Sequence, residues 1–204
     1  MDNKEYLKQI SLNSRPAKKS KGTFLKTPAV KIIGILTGLT IVILIFGSIL
    51  TSGSTSLKDQ AIALKLHLDN TSTIISDFQP SVKSSDLRSS SASLSSILSN
   101  TSRDLTSYLT AVYGYDNGSV PAGLKSEADL NRDSLESDLK SAKINGILDR
   151  IYARKMAYEI SLLLGEESAI YNATEDTSLK SVLGDSYSSL SNLYDKFNDF
   201  SETK

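Results

Sequence analysis

The run Ile32–Leu50, IIGILTGLTIVILIFGSIL, spans nineteen residues without a charge, and the next charged residue is Lys58. At a rise of about 1.5 Å per residue, a helix of that length covers roughly 28 Å, close to the hydrocarbon thickness of a bilayer. Lipid offers peptide groups no partner, so such a run must satisfy its own backbone as a helix. The expectation is one transmembrane helix over residues 32–50. Pro28 lies just ahead of it, where a missing amide proton does little harm. A cleaved signal peptide has a shorter apolar core, about 7–15 residues.

Charge is divided around this run. Residues 1–31 hold eight Lys or Arg against Asp2 and Glu5, a net +6, and the remainder is net −6, although the whole chain sums to zero. Basic residues stay on the cytoplasmic side of a span, so residues 1–31 read as a cytoplasmic arm and the rest as extracytoplasmic. Lys18, Lys19, Lys21, Lys26 and Lys31 are candidates for contact with anionic lipid headgroups, each contributing about 1 kcal/mol near the surface. An acidic outer part repels phosphate backbones, which argues against nucleic acid as a partner. Gly34 and Gly38 form a GxxxG pair, a candidate contact for weak homodimerisation through the transmembrane helix. The extended basic leader and the absence of cysteine point to a bacterial plasma membrane.

Beyond a linker at residues 51–56, serine is abundant: 31 of the residues from 51 to 204, 12 of them between Ser81 and Ser107. Apolar spacing nevertheless argues for order. Leu57, Ala61, Leu64, Leu68, Thr71, Ile75 and Phe78 follow alternating steps of four and three. So do Leu87, Ser91, Leu94, Leu98, Thr101, Leu105, Tyr108 and Val112, and again Leu179, Leu183, Ser186, Leu190, Leu193, Phe197 and Phe200. A seam near 3.5 residues per turn means helices packed lengthwise, with serine on the solvated faces. β-Branched residues never alternate over a useful length, so no strand is expected.

Local signals divide the domain. Ser56 with Asp59 resembles a capping box opening the first helix, and Pro80 closes it. A second helix is expected from near Ser84 to Tyr113, followed by a Gly- and Pro-containing loop to Gly123. Ser126 with Asp129 makes a second cap signature, Asn145-Gly146 a break or kink, and Thr177 or Ser178 opens the last helix. The fold class is therefore all-α: one N-terminal transmembrane helix, then a four-helix-bundle-like extracytoplasmic domain of four to five helices over residues 57–200, and a tail at 201–204.

The segment Ile147–Tyr171 is apolar around most of its helical circumference, which places it in the middle of a bundle. Its charges then need partners. Lys155 and Glu159 lie one turn apart with Glu166 further along the strip, and Arg150, Arg154 and Tyr158 line up on another. These residues are candidates for a ligand or partner site, against the plainer reading of boundary charges and intrahelical pairs. Tyr113 and Tyr115 are candidates for an aromatic contact loop.

Catalytic and metal chemistry find little support. His67 is the single histidine and there is no cysteine, whereas zinc normally takes three or four N or S ligands. The paired Glu-x-x-His motifs of bundle di-iron sites are absent. Asp116-Asn117-Gly118 lacks the spaced ligands of a calcium loop and reads as a turn. Sequence alone thus anticipates a non-enzymatic module without cofactor or metal, which binds an envelope protein partner. The alternative is a ligand-sensing or substrate-binding bundle with its site around Arg154, Tyr158 and Glu159.

Overall fold

The computed structural model describes residues 56–116 and 120–200. The expected transmembrane run, Gly34, Gly38 and the lysines from Lys18 to Lys31 lie outside them. Among the described residues no helix is long and apolar enough to cross a membrane.

Five helices and no strand make up the described chain: α1 Leu57–Phe78, α2 Ser85–Tyr113, α3 Ala122–Ile144, α4 Leu148–Ala173 and α5 Thr177–Asn198. Their ends follow from local chemistry. The Ser56 hydroxyl accepts from the Asp59 amide and donates to its carboxylate at 2.8 Å, so Ser56 caps α1 and the helix starts there. Pro80 falls in a short 3-10 turn, Gln79–Ser81, that ends the helix run. Ser84 caps α2, which stops at Gly114 in the left-handed region, φ 60°. Asp176 caps α5 by accepting from the Ser178 and Leu179 amides.

Asn145-Gly146 is a true break. The Ile147 amide donates to the Ala142 carbonyl and the Gly146 amide to Lys143, with Gly146 at φ 71°. That is a Schellman termination, which glycine adopts at no steric cost. One expectation needs correcting: α3 begins at Ala122, directly after Pro121, so Ser126 is already inside the helix. Asp129 is drawn to Lys125 one turn back, at 2.6 Å, and caps nothing.

α1 packs on α2, α2 on α5, α5 on α4 and α4 on α1, closing a ring of four helices. Asp149, at the start of α4, accepts from the Lys83 and Ser84 amides in the turn after α1. Further down α4, Glu166 meets His67 in the body of α1. α1 and α4 are therefore antiparallel, as are all neighbours in the ring. It follows that α2 and α4, on opposite corners, run the same way. The chain must be carried back between them, and α3 does this on the outside, against α1 and α4.

The three seams read from the sequence form the core: every residue named in them is buried except Leu57 and Phe200, which are half-buried, and Val112, which is 50% exposed at the end of α2. Tyr152, Met156, Ile160 and Leu163 of α4 fill the centre. α3 buries only Leu135, Leu139 and Ala142, all in its second half, and leaves Leu130 69% exposed.

Candidate functional site

α4 sorts its charges by face. Glu159 and Glu166, seven residues apart and so two turns along one side, both point at His67 of α1. His67 Nε2 lies 2.8 Å from Glu159 Oε2, and Nδ1 lies 3.0 Å from both oxygens of Glu166. With an acceptor at each nitrogen the ring donates twice, which is the imidazolium form. Burial by itself lowers the pKa of His67. The charge of Glu166, hydrogen bonds to Glu159 and Glu166 and the charge of Glu159 outweigh it and push the value up to about 10. All three side chains are largely withdrawn from solvent, with 19%, 13% and 16% of their surface exposed for His67, Glu159 and Glu166.

The next residue, Glu167, turns into the opposite side of the core. It is 1% exposed. Its Oε1 accepts from the Ser186 hydroxyl of α5, whose oxygen accepts in turn from Thr101 of α2 at 3.0 Å. Its Oε2 has no hydrogen-bond partner among the described residues. Burial pushes the carboxyl up, the Ser186 hydrogen bond offsets part of this and the neighbouring Glu166 charge adds to it, leaving a value of about 8. Glu167 thus keeps its proton at neutral pH. Nearby, Ser102 of α2 donates to Asp69 of α1, which also pairs with the buried Lys65 at 2.7 Å. One polar layer therefore ties together all four ring helices: His67, Lys65 and Asp69 from α1, Thr101 and Ser102 from α2, three glutamates from α4 and Ser186 from α5.

The outward face of α4 is different. Arg150 and Arg154 are exposed and make no ion pair among the described residues. Tyr158, one turn beyond Arg154, is 52% exposed, and the half-buried Ile147, Ile151 and Leu162 flank this strip. Lys155 pairs with Asp138 of α3 at 2.5 Å and so does not meet Glu159.

The anticipated site residues therefore divide. Arg150, Arg154 and Tyr158 share the outer face, Lys155 bridges to α3, and Glu159 belongs to the His67 cluster on another side of the helix. Tyr113 and Tyr115 do not form an exposed contact loop: Tyr115 is 4% exposed and Tyr113 is half-buried, edge-on to Tyr108 at a centroid distance of 6.1 Å. They close the end of the core. The sequence did not single out Glu167, since only the packing of α4 against α2 and α5 brings it to Thr101 and Ser186.

Among the described residues no group of acidic, His or Cys side chains is arranged to hold a metal ion. The His67 cluster illustrates why, since its two ring nitrogens face different carboxylates on opposite edges of the ring. No family model matches the chain, and neither a curated protein nor a solved structure matches it.

Proposed function

We propose that the chain is a membrane-anchored interaction module of the cell envelope, in which a basic cytoplasmic arm and one spanning helix present the helical bundle to an acidic protein partner outside. The outer face of α4 carries this reading. Among the described residues Arg150 and Arg154 stand there without counter-ions beside the half-exposed Tyr158, while the acidic groups of the same helix are all engaged internally. Arginine and tyrosine are the residue types that interfaces favour, and desolvated arginines need acidic partners. The charge division around Ile32–Leu50 supports the anchoring.

A ligand-binding role is less well supported, because Arg154, Tyr158 and Glu159 do not converge. A catalytic role is less so again, since His67 has both ring nitrogens committed to carboxylates. The test is crosslinking from a photoreactive residue at position 158 in intact membranes. The reading expects an adduct to a second protein, lost when Arg150 and Arg154 are both changed to Glu. Adducts insensitive to that charge reversal, or self-adducts alone, contradict it.

A further inference from the structure

Glu167 is a buried titratable group that the proposed docking face does not use. It lies where α2, α4 and α5 meet, 1% exposed, with the Thr101–Ser186–Glu167 hydrogen-bond chain crossing all three helices. Among the described residues the groups facing it offer no positive charge. From α5 comes the Ser186 hydroxyl, from α2 Thr101, and along α4 the Glu166 carboxylate. His67 and Lys65 of α1 are bound to other carboxylates, Glu159 and Glu166 for the one and Asp69 for the other. Among the described residues Oε2 has no hydrogen-bonding partner. A neutral carboxyl fits such a place; a carboxylate there has one oxygen bonded to a single hydroxyl and the other to no described group, beside another negative charge.

We propose that Glu167 is a pH-operated latch: the bundle closes around its protonated carboxyl, and loss of that proton in mildly alkaline surroundings releases α5 from α2 and α4 at the layer of Ser186. The sign follows from linkage. A carboxyl whose value is raised from 4.5 to about 8 favours the folded state at low pH, and the advantage declines as pH climbs from the lower value through the upper one. Because the contact is local to one layer, the response is a local opening, which precedes any global unfolding.

Amide hydrogen exchange of the full chain in nanodiscs, at several pH values from 6.5 to 9.5 and corrected for the intrinsic rate, reads this directly. Protection in peptides containing Thr101, Glu167 and Ser186 should fall about tenfold or more across that range. Glu167→Gln keeps the shape and cannot ionise, so its protection should stay level. Glu167→Leu, which also removes the buried polar atoms, serves if the glutamine variant folds poorly. Level protection in the unaltered chain overturns the proposal. So does an equal fall in the ionisation-proof variant, or a loss confined to α1, which would assign the response to His67.

Discussion

Nε2 of His67 and Oε2 of Glu159 are 2.8 Å apart although 92 residues separate them in the chain. Together with Glu166 on the next turns, this contact fixes how α1 lies against α4. Removing His67 leaves two mostly buried carboxylates facing each other without a cation. Breaking a buried pair typically costs about 3–5 kcal/mol, and the residual exposure here places His67→Ala toward the lower end. Urea denaturation of residues 54–204 should record that loss; a change below about 1 kcal/mol, the range of exposed pairs, would mean the cluster is solvated.

The same contact has a pH signature. The value of His67 rises from 6.5 in the unfolded chain to about 10 in the fold. Its stabilisation is fully present below the first value, while the two glutamates are ionised, and disappears as pH rises through the second. Melting temperature should therefore decline on going from pH 8 to pH 10, and the decline should be shallower in His67→Gln. Parallel curves for the two proteins would contradict the ion cluster.

Glu159 and Arg154, on one helix, should respond unequally. Glu159→Ala strips His67 of one of its two counter-charges and should destabilise the bundle by about 2–3 kcal/mol. Arg154→Ala, on the outer face, should stay within about 0.5 kcal/mol. If the arginine variant unfolds the domain, the outer face is structural and unavailable for docking.

Leu94 and Leu190 are completely buried, on α2 and α5. Leu94→Asp or Leu190→Asp puts an unpaired charge where no partner can reach, and either should abolish cooperative unfolding monitored by circular dichroism. An unchanged melting curve would remove these seams from the core.

Topology is tested on intact cells. Added protease should digest the bundle and spare the basic arm, as the charge division around Ile32–Leu50 requires. Protection of the C-terminal part would reverse the orientation.

Much of the bundle could be read from the chain because α1, α2 and α5 each bury one stripe at regular spacing, and regular spacing is visible in one dimension. Leu64, Leu98 and Leu190 needed no knowledge of their partners. α3 was harder. It buries three side chains and is laced with pairs such as Lys125–Asp129 and Lys140–Glu136, so its pattern is that of a solvated helix with no marked start. The polar layer was legible only as unpaired halves. Glu159 could be seen to need a partner, but spacing along a helix proposes neighbours such as Lys155 and Arg154. The partner chosen was His67, from a helix 92 residues away, and only the packing of α1 on α4 decides that. Glu167 escaped because nothing local distinguishes a glutamate that turns inward from the one beside it that pairs with histidine.

The outside passage of α3 between two corners that run the same way divides the molecule into two hairpins, α1–α2 and α4–α5. Each hairpin is joined by a short turn, and between the hairpins α2 ends at Tyr113 and α3 begins at Ala122. A gene cut there yields two polypeptides that recognise each other through the core seams, the polar layer, the packing of α3 on α1 and the Asp149 contact with the turn after α1. The bundle is in that sense already a split protein. Expressed as separate pieces, residues 56–116 and 120–200 should find one another in solution, and a fluorescent or enzymatic reporter halved between them would register the assembly of the fold itself.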